Sequence, residues 1–323
     1  MMLNVHLLED FDAVALSALQ AQLDPRIHLT TGTIVPLDTH ILVGGRPTHE
    51  QLSVCPDLRA LIVPWAGVPE STSELLRDFP QIALHNLHHN AAATAEMALA
   101  LLLSAAKFVV PIDQRLRAND WSPRYAPSRA IGLRGKTALI VGYGQIGQRV
   151  GRVCHALEMT VLATRRTRIE QDAVVAEVHP ITDLLQLLPR SHALIITAPL
   201  TPETKGLIGE KELASLPRGA LLVNVGRGAI VDEAAVYQAL KSGQLSAAGL
   251  DVWYNYPRDE AAQTNTPPSR FPFHELDNVV LSPHRGGDEA GIDTRRMQHL
   301  ADLLNTTARG EEMPNRVNLA DGY

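Results

Sequence analysis

Arg227 stands between Gly226 and Gly228, directly after the apolar run 220–225. A guanidinium presents a planar fork that grips a carboxylate in two places and polarises a nearby carbonyl. The flanking glycines let the backbone approach a ligand closely, which weighs against the plainer reading of a surface arginine behind a strand. His284 follows a second apolar run, 278–281, and precedes Arg285-Gly286-Gly287. With a reference pKa of about 6.5, an imidazole can give a proton to a carbonyl oxygen and take it back. One histidine among 13 is more often structural. The strand end before His284 and the glycines after it favour catalysis.

A second kind of site is written in Thr137-Ala-Leu-Ile-Val-Gly-Tyr-Gly-Gln-Ile-Gly147. A β-prone stretch ends on Gly142, Gly144 and Gly147, and a helix-favouring stretch follows. In that context the G-x-G-x-x-G pattern binds dinucleotides. Gly142 allows the tight turn, Gly144 the approach of a pyrophosphate, and Gly147 close packing of helix on strand. The amides at Gln145, Ile146 and Gly147 open the helix toward phosphate. A carboxylate for the ribose 2′-hydroxyl belongs at the end of the next strand, about 20 residues on. The chain instead reads Thr164-Arg165-Arg166-Thr167-Arg168, with Arg165 in the acidic position. Arginines complement a 2′-phosphate, so NADP(H) is the expected cofactor, with NAD as the lesser choice. A solvated basic turn is the structural alternative.

These groups need elements that bring strand ends to one edge. Short apolar runs alternating with helical patterns predict an α/β chain, with strands at 5–8, 41–43, 60–63 and 82–84 in the first hundred residues. Further strands are expected at 137–141, 160–164, 193–197, 220–225, 247–252 and 278–281. Such runs fit parallel strands covered on both faces, and ligands of open α/β sheets bind beyond the carboxyl ends. Arg227, the segment from Asp251 to Tyr256, and His284 each follow such an end. One long helix is expected over 93–117, then an extended arm over 118–134 carrying Trp121, Pro123, Tyr125 and Pro127.

The bulk properties narrow the function. A chain of 323 residues suggests about two domains. The net charge of −6 offers no basic field to recruit nucleic acid or a membrane surface. Cys55 and Cys154 make neither a disulfide framework nor a metal spacing, and no metal is expected. No stretch reaches the roughly 20 apolar residues of a membrane span; 97–110 comes nearest. The first residues lack the basic region of a signal peptide, so a cytoplasmic protein is expected.

Five segments, in order, resemble the D-isomer-specific 2-hydroxyacid dehydrogenases: the glycine run 142–147, Thr201-Pro-Glu-Thr-Lys-Gly-Leu-Ile-Gly, Asn224-Val-Gly-Arg-Gly-Ala-Ile-Val-Asp232, Gly249-Leu-Asp-Val-Trp and Ser282-Pro-His-Arg-Gly-Gly. The ending Pro314-Asn-Arg-Val-Asn318 fits the same family. The resemblance implies a Rossmann-type doubly wound parallel sheet plus a smaller flavodoxin-like α/β substrate domain. The substrate domain would be discontinuous, 1–98 with 289–323, around an NAD(P)-binding domain at 99–288. It implies a homodimer whose arm crosses to the partner. It implies hydride transfer between NADP(H) and a small 2-oxo acid or D-2-hydroxy acid, as in glyoxylate and hydroxypyruvate reductases. Arg227 would bind the carboxylate and His284 would serve as acid and base. The nicotinamide would lie near Ala198, Pro199, Val225 and Asp251. The substrate carboxylate would meet the amides of Trp65, Ala66, Gly67 and Val68, with Trp65 read equally as pocket floor or core residue, and His88 or His89 as a substrate contact. His85, His88 and His89 have no cysteine or nearby carboxylate to complete a zinc site.

The chain departs from the family at one position. The family carries a glutamate five residues after the aspartate of its Leu-Asp-Val motif; here that position is Tyr256, before Pro257. A carboxylate would orient the imidazole and stabilise its cation, whereas a phenol can orient it and adds little charge. Tyr256 is therefore expected to position a His284 that titrates closer to its reference value, its acid role weakened rather than abolished, with Asp259 and Glu260 as the alternative sources of the charge. Two rivals remain: a formate-dehydrogenase-like hydride transfer without a proton relay, and a nucleotide-sensing binding protein related to the corepressors of the C-terminal-binding-protein type. The loop 257–273 is expected to bear on specificity.

Overall fold

The computed structural model describes residues 2–8, 11–166 and 175–319. It divides into two compact units, Met1–Asn90 with Asp288–Tyr323 and Ala91–Gly287. The first division falls at 90/91, where the helix Ala91–Lys107 begins, so that helix belongs whole to the second unit.

In the first unit, β1 (Leu3–Leu7), β2 (Ile27–Thr31), β3 (Ile41–Val43), β4 (Ala60–Val63) and β5 (Ala83–Asn86) form a parallel sheet in the order β2-β1-β3-β4-β5. That is the flavodoxin-like order. Successive side chains of a strand point to opposite faces. Ile62 accordingly joins one apolar cluster, with Val5, Ile41 and Leu300, while Leu61 and Val63 join another, with Leu42 and Leu84.

In the second unit, β6 (Thr137–Val141), β7 (Thr160–Arg165), β8 (Glu177–Pro180), β9 (Ala193–Ile196), β10 (Ala220–Asn224), β11 (Leu245–Leu250) and β12 (Val279–Leu281) are all parallel, in the order β12-β11-β10-β9-β6-β7-β8. Read from β8 this is the doubly wound order with the crossover at β6, and the crevice at such a switch point is where nucleotides bind. Leu139 and Val141 enter one core and Ala138 and Ile140 the other. Burial on both faces is the reason β6 reads as an unbroken apolar run.

Three expectations need correction. The apolar pattern of the sequence marks neither β2 nor β8. Both are edge strands with half-exposed, partly polar residues, so neither shows the apolar run of a central parallel strand. The single helix over 93–117 is two, Ala91–Lys107 and Val109–Arg117, bent by 67°. The break is at Phe108, which takes the left-handed conformation (φ 54°) while its ring is buried beneath the Arg129 guanidinium, 4.5 Å away. The arm over 118–134 is not wholly extended, since Ser122–Tyr125 forms a short helix. Among the described residues no single helix is long and apolar enough to cross a membrane.

Candidate active site

The carboxyl end of β6 builds a cradle. Gly142 adopts φ 98°, and a Cβ there would lie 2.6 Å from Ala198 Cα. A Cβ on Gly147 would run into the Gly142 carbonyl oxygen, so the helix Gln145–Ala156 can sit against the strand only with glycine there. Gly144 caps that helix with no side-chain hydrogen bond, and a Cβ on it would meet only open space. The first-turn amides, from Gln145, Ile146 and Gly147, are thus left uncovered by any capping side chain, as an anion site requires.

The end of β7 completes this edge. The Thr164 carbonyl receives the amides of Gly142 and Tyr143. Its buried hydroxyl has no hydrogen-bond partner among the described residues, and a polar atom so placed signals a missing ligand or water. Arg165 is half-buried with Nη1 3.5 Å from the Tyr143 carbonyl oxygen, and Arg166 is exposed. Thr167 and Arg168 lie outside the described residues. Ala198, Pro199 and Val225 follow β9 and β10. This edge fits a dinucleotide: an open glycine over helix amides, an orphaned hydroxyl and two arginines.

Arg227, Trp253, Tyr256 and His284 come together beyond β10, β11 and β12. Gly226 and Gly228 are forced by close approach: a Cβ on the first would lie 2.6 Å from the Ala198 carbonyl oxygen, and one on the second would strike the Trp253 carbonyl. The Arg227 Nη1 donates to the Gly226 carbonyl oxygen at 2.7 Å. The Trp253 amide donates to the Tyr256 hydroxyl at 3.1 Å, and its indole Nε1 donates to the Ser282 carbonyl at 2.8 Å. The Tyr256 ring, 45% exposed, lies 5.5 Å from the His284 ring, centroid to centroid, tilted by 55°.

His284 takes the left-handed backbone conformation, φ 60°, uncommon outside glycine though less so for histidine. The buried Asp251 carboxylate explains how it is held: Oδ1 accepts from the Ser282 hydroxyl at 2.5 Å and the Arg285 amide at 2.9 Å, and Oδ2 from the Gly286 amide at 2.9 Å. The imidazole is at the surface, yet desolvation by neighbouring atoms, followed by the Arg227 guanidinium, lowers its pKa from the ordinary value, with Asp251 opposing. Desolvation likewise raises the Tyr256 phenol. Among the described residues the imidazole meets Tyr256 as a ring contact, and Tyr256 spends its oxygen on the Trp253 amide. Sequence reasoning missed the clasp made by Asp251 and the strut made by Trp253. The spacing Asp-Val-Trp before Ser-Pro-His was visible, but only the pairing of β11 with β12 brings the two segments side by side.

In the first unit, Trp65, Ala66, Gly67 and Val68 follow β4, all half-buried. The Trp65 indole lies against Gly45, where a Cβ would collide with it, and joins an apolar cluster. The Asn86 amide donates to the Ala66 carbonyl at 2.7 Å, fixing the loop to the end of β5. His88 follows β5 and is half-buried, while His85 is structural, its Nδ1 2.8 Å from the Pro314 carbonyl oxygen. Among the described residues no cluster of three or more His, Cys, Asp or Glu could hold a metal.

The family described as D-isomer specific 2-hydroxyacid dehydrogenase, NAD binding domain, matches residues 99–286. The chain belongs to this family. A D-3-phosphoglycerate dehydrogenase of Archaeoglobus fulgidus is 36% identical over 234 residues, 71% of this chain and 41% of its own length. A glyoxylate reductase of Aeropyrum pernix is 39% identical over 234 residues, 70% of this chain and 66% of its own. The matched part of the chain thus spans less than two thirds of these curated relatives. A D-isomer specific 2-hydroxyacid dehydrogenase from Xanthobacter autotrophicus Py2, solved with NADPH and MES, superposes with a TM-score of 0.81 at 24% identity, covering 100% of both chains. The 2-hydroxyacid dehydrogenase fold therefore accounts for both units.

Proposed function

We propose that this 2-hydroxyacid dehydrogenase relative is an oxidoreductase that reduces a small 2-oxo acid to the D-2-hydroxy acid with NADPH in preference to NADH. The observation that carries the reading is the convergence of Arg227 and His284 beyond one strand edge, with His284 fixed by the Asp251 clasp. The nicotinamide dinucleotide, when bound, supplies or accepts hydride. Gly142, Gly144, Gly147 and the helix amides would hold its pyrophosphate, Arg165 and Arg166 its 2′-phosphate, and Ala198, Pro199, Val225 and Asp251 would lie near its nicotinamide.

Arg227 grips the substrate carboxylate and polarises the carbonyl. His284 delivers a proton from its ring to the carbonyl oxygen during reduction and recovers it during oxidation. Tyr256 positions His284 by ring packing. On the family resemblance, the amides of Trp65–Val68 and the ring of His88 are assigned to the substrate. The exposed apolar side chains of Val109, Ile112, Leu116, Trp121 and Tyr125 support a homodimer, and we place the protein in the cytoplasm.

The test is steady-state oxidation of NADPH and of NADH with glyoxylate, hydroxypyruvate, pyruvate and phenylpyruvate. Turnover favouring NADPH supports the whole reading. Preference for NADH removes only the 2′-phosphate assignment. Tight cofactor binding without turnover favours a nucleotide sensor, the reading to which the absent glutamate lends support.

A further inference from the structure

Glu233 is a buried carboxylate at the head of the helix Glu233–Ser242, a short way along the chain from Arg227. A buried charge is costly unless hydrogen bonds satisfy it. Here Oε1 accepts from the Ser269 hydroxyl and the Arg270 amide, both at 2.8 Å. Oε2 accepts from Arg270 Nε and Nη2, again at 2.8 Å. Desolvation, the largest single influence, raises the pKa of this carboxyl, and the bonds from Ser269 and Arg270 together bring it below its ordinary value. The Arg270 side chain is 77% exposed, so these bonds reach from a surface loop to a fixed helix end.

The same bonds close a loop. The Tyr254 and Asn255 amides donate to the Pro268 carbonyl at 3.2 and 3.0 Å, and the Tyr254 hydroxyl donates to the Val231 carbonyl at 3.0 Å. Both ends of the excursion 256–267 are therefore pinned against 231–233, and Tyr256 is the first residue of that excursion. Beyond it the chain turns inward. The Phe271 amide donates to the Ser269 hydroxyl at 2.9 Å, and the Phe271 ring stacks on Tyr237, centroids 5.1 Å apart. Phe273 meets Tyr237 and Trp253 edge-on, at 5.4 and 6.0 Å. Trp253 gives its amide to the Tyr256 hydroxyl and its indole N–H to the Ser282 carbonyl, shortly before His284. Contacts thus run from the Glu233 carboxylate toward the imidazole by two routes, through the loop clasp to Tyr256 and through Phe273 to Trp253.

We propose that Glu233 is a positioning residue for His284: by latching Ser269 and Arg270 it closes the loop 254–270 and so seats Tyr256 and Trp253, which hold the imidazole and its strand end. This role deepens the reductase reading and rests on it. Glu233 spends both oxygens on Ser269 and Arg270, so whatever it does for turnover passes through the loop. Misplacing a reacting group by about 1 Å costs about 100-fold in rate, and a loosened latch therefore registers in kcat. It also admits water to His284, whose pKa is lowered first by desolvation and then by Arg227, with Asp251 opposing. Freeing the loop therefore raises that pKa, whereas simple loss of a distant negative charge would lower it.

The test is Glu233→Gln in the full chain, which turns one acceptor into a donor facing donors, with Arg270→Met as a second variant that removes only the exposed guanidinium. For each, kcat, NADPH affinity and the melting transition are measured, and ¹⁵N-imidazole spectra follow the titration of His284, its signal assigned with His284→Asn. Glu233→Gln should lower kcat about tenfold or more and leave NADPH affinity within about twofold, since the glycine cradle is untouched. It should move the His284 titration up by about half a pH unit or more, as water returns to the ring. Arg270→Met should move kcat and the titration in the same directions by less. Two results overturn the role: a lowered melting transition with kcat unchanged, which is structural support alone, or a His284 titration that stays in place or moves down. If the wild type turns over no 2-oxo acid, the reductase reading fails, and the His284 titration, read without substrate, decides the latch by itself. If Glu233→Gln fails to fold, Arg270→Met decides.

Discussion

The buried carboxylate of Asp251 holds the loop that displays His284, by accepting the amides of the next two residues, Arg285 and Gly286, both at 2.9 Å. A single acidic side chain at the end of β11 thereby maintains the left-handed backbone of a histidine that follows β12. Replacing Asp251 by Asn turns one acceptor into a donor facing the Gly286 amide. Hydrogen bonds to charged groups contribute about 1.5–3 kcal/mol each. Asp251→Asn should lower the melting transition by about 5 °C or more. It should also slow turnover about 10- to 100-fold through misplacement of the imidazole. Thermal melts and kcat on the same preparation check both.

Tyr256 and His284 make a ring contact rather than a charge pair, and the pH profile should show it. Reduction needs protonated His284, whose pKa is lowered by desolvation and Arg227. Turnover in the reducing direction should therefore fall as pH rises through a value lower than that of an ordinary imidazole. Tyr256→Glu should move that falling limb to higher pH, because a carboxylate favours the cation. Tyr256→Phe should keep the limb in place, costing about 1 kcal/mol of stability for the lost partner of the Trp253 amide. A limb unmoved by glutamate would show that another group donates the proton.

Arg165 stands where an NAD site would carry an acid. Arg165→Asp should weaken NADPH binding about 10- to 100-fold, the worth of one or two charge-assisted hydrogen bonds, while NADH binding holds or improves. Fluorescence titration with both cofactors measures the ratio directly.

Burial, with four basic neighbours, pushes His89 down to about 4. The unfolded chain binds that proton below about 6.5, so between these values the unfolded state holds more protons. Stability should be full above pH 6.5 and should decline as pH falls toward 4, by about 3 kcal/mol from this one group. Urea unfolding across that window in chloride buffer, for wild type and His89→Phe, should show a shallower decline in the variant.

The glycine run, Arg227 and His284 were legible in the sequence because each needs a particular residue type at a strand end, and central parallel strands announce themselves as apolar runs. The edge strands β2 and β8 were not, since half-exposed strands carry mixed residues. Nor was the break at Phe108, where burial of one ring, capped by Arg129, overrides a helix-favouring Ala- and Leu-rich run. The clasp by Asp251 and the strut from Trp253 to Ser282 depend on the pairing of β11 with β12, a long-range contact that no local pattern encodes.

The central claim is that Arg227 and His284 act on a 2-oxo acid, and the most direct measurement is kcat with glyoxylate or hydroxypyruvate for His284→Asn and Arg227→Gln, alongside NADPH affinity. The account predicts that kcat falls by about 10²- to 10⁴-fold in His284→Asn, that Arg227→Gln also raises KM, and that NADPH affinity stays within a few-fold in both. Full turnover by His284→Asn would contradict it.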